Sequence, residues 1–298
     1  MVARYWWVEN RGTTGPDPNE QAGTRSLVRR LTRKSLFLIV AIALLAISPR
    51  LVTGVRAAQA DETAKNAAQA RVMLDAMVKA LGGDAWLNQQ NRMYEGRTAG
   101  FYHGKPSGAT AEYWEFHAWP DKDRSEFTKH RDVVQIYSGR EGWEITYKGK
   151  SPLPKEQVDD YLRRRDHSIE TVVKEWLKDP ATILIFEGQH LVESHMADQV
   201  TLISAQNEAV TIQTDVQTHL PLRRSFQWRD PVYKDKDEDA EEYDNYRPVD
   251  GIPTPYNITR FRNGDMVNQR FLFKAAYNQQ LPADEFSVDA AALKIAKK

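Results

Sequence analysis

The chain has 298 residues, 41% of them apolar and 10% aromatic, with 41 Lys/Arg against 41 Asp/Glu, which makes it globular and formally neutral. Residues 1–60 hold nine basic and three acidic side chains, leaving 32 basic and 38 acidic in the rest, a net of −6. That remainder lacks the basic surface a nucleic-acid partner demands, and the absence of cysteine excludes disulfides, thiol catalysis, Cys-ligated zinc and a lipid-modified N-terminal cysteine.

Four basic residues, Arg29, Arg30, Arg33 and Lys34, precede an apolar run from Leu36 to Ile47, and Ala58-Gln59-Ala60 fits a small-x-small cleavage site just before Asp61. Residues 1–60 are therefore expected to be an N-terminal extension and secretory signal, with its apolar region at 36–47 and cleavage after Ala60. Residues 61–298 follow as a single periplasmic domain. An uncleaved inner-membrane anchor is the alternative, although the run is short of the roughly twenty residues that span a bilayer. Residues 1–27 show no period, which points to a translation start near Val28.

Beyond Asp61, "NAAQARVMLDAMVKALGG" sets Ala67, Ala70, Leu74, Met77, Val78 and Leu81 on one helical stripe and stops at Gly82-Gly83. Strand-like runs follow, with Trp114 and Phe116 sharing one face and Trp143, Ile145 and Tyr147 another. Between Pro154 and Pro180 the period changes: Val158, Leu162, Ile169, Val172, Val173 and Trp176 predict a helix, or a pair broken near Asp166-His167. "PATILIFEG" reads equally as a short helix or a strand. Strands then resume, one of them carrying Phe226 and Trp228, with turns expected at Met196-Ala197-Asp198 and Gln206-Asn207-Glu208.

"DKDEDAEEYDNY" alternates acids as a calcium loop does, but such a loop needs Gly at its sixth position and Glu at its twelfth, where this chain has Ala240 and Tyr246. A solvated loop joining two strands is the expectation, with docking to a basic partner as the alternative. In "YNITRFRNGDMVNQRFLF", Asn263-Gly264 predicts a type I′ hairpin. Pairing outward from it sets Arg262 against Asp265, Arg260 against Val267, Ile258 against Gln269 and Tyr256 against Phe271. One face then carries Tyr256, Ile258, Val267, Phe271 and Phe273. The C-terminus is expected to be a turn and a short exposed helix. Ten or eleven strands at intervals of about ten residues suggest a sheet that curls into a barrel or half-barrel.

Chemistry-bearing motifs are missing. There is no H-E-x-x-H, G-x-S-x-G, P-loop or G-x-G-x-x-G, and His190 and His195, read on one strand, would face opposite ways. No catalytic residue, metal site or cofactor is expected. A closed core is the usual fate of such aromatic stripes, and the wall of a ligand cavity is the alternative.

Two stretches carry a family resemblance. "YDNYRPVDGIPTPYNITRFRNGDMVNQRFLFKAAYNQQLPADEFSV" resembles the closing pattern of the LolA-like periplasmic lipoprotein carriers and outer-membrane lipoprotein-sorting proteins, and "MVKALGGDAWLNQQNRMYEG" is similar to an N-terminal segment of that superfamily. The resemblance implies an α+β fold: a curled antiparallel sheet forming an unclosed half-barrel, with helices covering its concave face. It implies a non-enzymatic, monomeric carrier of an acylated lipoprotein or lipid, with inner- and outer-membrane envelope proteins as further partners. The apolar trough would be lined by Trp114, Phe116, Trp143, Ile145, Tyr147, Phe226, Trp228, Tyr256, Ile258, Phe271 and Phe273. An envelope sensor or structural module that binds a protein partner, and a periplasmic hydrolase, are the alternatives.

Overall fold

The structure, a computed structural model, describes residues 49–108, 110–230 and 232–297, with side chains from residue 59 onward. The expected apolar signal region at 36–47 lies outside the described residues. Residues 59–298 form one compact unit. The long helix α1, Pro49–Ala80, runs through the expected cleavage site, and among the described residues no helix is long and apolar enough to cross a membrane.

Among the described residues fourteen strands make one antiparallel sheet. In chain order they are β1 (Asn91–Tyr102), β2 (Lys105–Pro106), β3 (Ala111–Ala118), β4 (Lys122–Phe127), β5 (Val133–Ser138), β6 (Glu141–Thr146) and β7 (Gly149–Pro152). Then come β8 (Ile183–Val192), β9 (His195–Ile203), β10 (Ala209–Asp215), β11 (Pro221–Arg229), β12 (Lys236–Val249), β13 (Ile252–Arg262) and β14 (Asp265–Tyr277). The spatial order is 7-6-5-4-3-1-14-13-12-11-10-9-8, with β2 paired to β1 alone. Two meanders are thus joined by β1 and β14, and β7 and β8 remain as unpaired outer edges of an unclosed sheet.

The chain leaves β7 and reaches β8 through α3 (Lys155–Asp166), α4 (Ile169–Lys174) and a short 3-10 turn. These elements lie over the concave face. The break falls at His167-Ser168, where Ser168 caps α4 by accepting from the Thr171 N–H at 3.1 Å. The four-residue α2, Asp84–Leu87, adds Trp86 to the core, and α5, Val288–Ala296, packs on the other face of the sheet.

Two apolar clusters hold the fold. The larger sets Ala70, Leu74, Met77 and Leu81 of α1, the predicted stripe, and Val172 and Val173 of α4 against Val200, Leu202, Val210, Ile212 and Phe226. Asn66 of α1 ties the helix to the sheet: its amide donates to the Phe186 carbonyl at 2.8 Å and accepts from the Phe186 N–H at 2.9 Å, where the β8–β9 ladder is irregular. The smaller cluster lies on the convex face, where Ala291 and Ile295 of α5 cover Val134, Ile136 and Ile145. The C-terminal helix is therefore docked along one side rather than fully exposed.

Several local expectations change. The ambiguous "PATILIFEG" supplies β8. The turn expected at Met196-Ala197-Asp198 lies inside β9, and the chain reverses at Glu193-Ser194, so His190 and His195 sit on two strands. The acidic segment is no solvated loop but most of β12, for a reason given by its partners below. The Asn263-Gly264 turn forms, both residues with positive φ, and pairs Arg262 with Asp265 as expected. A β-bulge then intervenes: Phe261 pairs with Met266 but Arg260 pairs with Asn268, so Ile258 meets Arg270 and Asn257 meets Phe271. One extra residue turns β14 over from there to the next irregularity. A second irregularity at Glu95/Gly96 follows, where a Cβ on Gly96 would lie 2.2 Å from the Phe271 carbonyl oxygen.

Candidate functional site

The concave face carries an unbroken network of charge. On β12, Asp237, Asp239 and Glu241 alternate inward, and each meets arginines of neighbouring strands. Arg262 donates to Asp237 at 2.9 Å, Arg260 to Asp239 at 2.7 Å, and Arg270 to Glu241 at 2.9 Å. Arg224, 1% exposed, reaches Asp239 and Glu241. Arg270 continues to Glu115 at 3.1 Å, and Arg92 bridges Glu115 and Glu170 of α4. Here Glu170 also accepts from Lys174 at 2.9 Å and Gln89 at 3.1 Å. At the far end His117 Nδ1 lies 2.7 Å from Asp123, with Nε2 3.8 Å from Glu170. Asp160 of α3 reaches down to Arg260 and Arg262 at 3.3 and 3.0 Å and also pairs with Arg164, so the helices are pinned to the sheet by ions as well as by apolar contact.

Burial and charge oppose each other throughout. Burial works to raise Glu241, but Arg270, Arg224 and Arg260 outweigh it and hold its carboxyl at about 2. Burial likewise acts against Glu170, and Arg92, His117 and Lys174 keep that carboxyl below its ordinary range. Asp123 is held low against burial, first by its bond to His117. Burial raises Tyr113 and Tyr243 well above ordinary tyrosines. His167, stacked on Phe226 at 4.4 Å between centroids, is pushed down by burial.

A cavity of about 610 Å³ lies between this network and the helices. Its lining includes six arginines (92, 224, 260 and 270 from the sheet, 164 and 165 from α3), four carboxylates (Glu115, Asp123 and Glu241 from the sheet, Glu170 from α4) and His117. Leu81, Trp86, Trp119, Phe127, Ile169 and Ile258 supply apolar wall, and Tyr94, Tyr113, Tyr137, Tyr161, Tyr243, Tyr246 and Tyr277 present both ring and hydroxyl. The arrangement can bind a molecule that is part polar and part apolar. Among the described residues no group of three or more His, Asp or Glu side chains is placed to hold a metal ion.

The fold has relatives among solved structures. A DUF1329 family protein from Desulfovibrio piger aligns with a TM-score of 0.53 at 13% identity, over 74% of this chain and 98% of that one. A LolA superfamily protein from Nitrosomonas europaea aligns at 0.46 with 13% identity, over the same shares. A domain assigned to outer membrane lipoprotein sorting from Vibrio parahaemolyticus aligns at 0.48 with 9% identity, over 75% and 99%. The fold is shared with the DUF1329 family protein. No family model and no curated protein matches the sequence. At these identities the likeness concerns architecture alone.

Of the eleven residues expected to line a trough, the sheet brings Ile258 to the cavity. Tyr256, Phe226 and Trp228 share its face but belong to or pack on the larger core, with Trp228 under the guanidinium groups of Arg163 and Arg262 at 4.4 and 4.2 Å. Trp114 and Phe116 alternate with the cavity residues Tyr113, Glu115 and His117 and so face outward, where Arg131 lies over the Trp114 ring at 4.9 Å. Ile145, 0% exposed, and Trp143 fill the convex cluster under α5. Tyr147 is 82% exposed at a hairpin tip. Phe271 and Phe273 are turned outward by the bulge, and Phe273, 56% exposed, packs on Arg97 at 5.6 Å. The cause is common to most of them. Both faces of this sheet are covered in places, so an aromatic stripe does not tell which face is concave.

The missed residues are charged. Arg260 and Arg262 are two apart on β13, as Asp237, Asp239 and Glu241 are on β12, with Arg224 on β11 and Arg270 on β14. That complementary period of two was the available signal.

Proposed function

We propose that the chain is a non-catalytic periplasmic carrier that holds one lipid or acylated-protein ligand between its curled sheet and the α3–α4 cover. The observation that supports this reading is the cavity of about 610 Å³, within the size range of small-molecule sites, beneath a cover whose two ends join the unpaired edges of the sheet. An apolar stem fits against Leu81, Trp86, Phe127 and Ile169, and a polar head against the charged floor. A bare acyl chain along that floor would displace water from arginines and carboxylates without replacing its hydrogen bonds, at a substantial cost. The ligand is therefore an amphiphile whose head enters the cavity, rather than hydrocarbon alone. The test is mass spectrometry of chloroform–methanol extracts of the full chain purified without detergent from its native host. A stoichiometric acyl lipid or lipoprotein is expected. Protein free of acyl compounds that also fails to bind a fluorescent fatty acid would refute the carrier and favour the envelope sensor or structural module.

A further inference from the structure

Antiparallel pairing gathers the hairpin turns at two opposite ends of the sheet. The turn after Tyr102 between β1 and β2, the Tyr147-Lys148 turn between β6 and β7, and residues 230–235 between β11 and β12 all fall at the same end. These three turns hold the four most exposed large apolar side chains among the described residues. Tyr147 is 82% exposed, Tyr233 78%, Val232 74% and Tyr102 72%. None of the four lies at the opposite end.

Each turn is shaped by its own backbone. His103 and Gly104 take positive φ, and the Thr146 hydroxyl accepts from the Lys148 N–H at 3.2 Å. Asp230 accepts from the Val232 and Tyr233 N–H groups at 2.7 Å each, so that carboxylate is engaged in forming the turn. Lys105, Lys129, Lys148 and Lys236 are exposed at the same end, and none of them forms an ion pair among the described residues. Lys148 lies over the Tyr147 ring at 5.6 Å. Two carboxylates oppose this charge, Asp235 in the third turn and Asp265, which lies 3.8 Å from His103.

The chemistry and the spacing select the partner. Tyrosine has an apolar body and a polar tip, which suits it to the boundary between hydrocarbon and water, and lysines beside it meet phosphates there. A protein interface gathers its apolar side chains into one contiguous core. Here they sit on separate turns, about 15–20 Å apart along the sheet at about 4.8 Å per strand. A flat, fluid surface meets such separated tips at once.

We propose that this end of the sheet docks on an anionic phospholipid bilayer, with Tyr102, Tyr147, Val232 and Tyr233 entering the headgroup layer and the lysines on its phosphates. The proposal does not depend on what the cavity binds.

The chain has no cysteine, so one introduced thiol carries a fluorophore at a single place. Full-length Tyr147→Cys, Tyr233→Cys and Ser194→Cys are each labelled with a polarity-sensitive fluorophore. They are mixed with vesicles of phosphatidylcholine, either alone or with about 30% phosphatidylglycerol. Ser194 lies at the opposite end between the exposed Leu191 and Met196, and so reports apolar surface without the lysines. Emission is expected to move to the blue at positions 147 and 233 with the anionic vesicles only, and to stay unchanged at 194. Lys148→Gln and Lys236→Gln should each weaken the response about fivefold, raised salt should weaken it likewise, and the melting temperature should hold because both side chains are exposed. Unshifted emission at 147 and 233, an equal shift at all three positions, an equal response to neutral vesicles, or undiminished binding in the lysine variants would each overturn the proposal. A shift with lipid-free envelope proteins but not with vesicles would assign this end to a protein partner and overturn it as well.

Discussion

Glu241→Gln tests whether the concave face is held together by charge. The substitution keeps shape and removes one negative charge between Arg270 at 2.9 Å and Arg224 at 3.1 Å. Glu241 is held at about 2 in the folded chain against an ordinary value of 4.5. At about 1.4 kcal/mol per tenfold change in proton affinity, that difference corresponds to about 3 kcal/mol of stability at neutral pH. Breaking a buried ion pair from one side costs about 3–5 kcal/mol, and Arg270 and Arg224 keep Glu115 and Asp239, which favours the lower end. For a domain of this size the expected fall in Tm is about 6–12 °C. Because the folded-state value is depressed, the contribution is complete above about pH 4.5 and is lost as pH falls toward about 2. The gap between wild type and variant in urea unfolding should therefore be about 3 kcal/mol at pH 7 and close progressively below about pH 4.5. A gap under about 1 kcal/mol at pH 7, or one that does not change with pH, would refute the reasoning.

Three further outcomes follow from the same geometry. Asp160→Asn removes the ionic contact of α3 with Arg260 and Arg262, so amide exchange should quicken over residues 155–166 while that of β13 and β14 stays slow. Asn66→Ala deletes both hydrogen bonds to Phe186 and should cost about 1–3 kcal/mol in urea unfolding, with the irregular β8 exchanging faster. Phe273→Asp should change stability by about 0.5 kcal/mol or less, whereas Leu272→Asp one position earlier should unfold the domain; circular dichroism distinguishes them, and the reverse order would place the bulge wrongly.

Elements with a local cause were readable from the chain alone. The stripe Ala70, Leu74, Met77 and Leu81 buries as its 3.6-residue period requires, the break between α3 and α4 falls at His167-Ser168, and Asn263-Gly264 makes its hairpin. The curled, unclosed sheet with helices over its concave face also agrees with the expectation from the closing sequence pattern. Register and sidedness were not readable. A period of two divides a strand into two faces without saying which is concave, and each extra residue in β14, one near Val267 and one at Phe273, exchanges those faces beyond it.

The acidic run Asp235–Asp244 shows the same limit from the side of charge. By itself such a run belongs in water, because isolated carboxylates are costly to bury. Here β11 and β13 flank β12 and bring Arg224, Arg260 and Arg262 onto Asp237, Asp239 and Glu241, so the carboxylates enter the interior already paired. The sequence determined which residues alternate, where α1 stops and where the Asn263-Gly264 hairpin turns. Which arginine would meet which carboxylate depended on the order of strands far apart in the chain, and only the tertiary structure decides whether a charge has a partner when it leaves water.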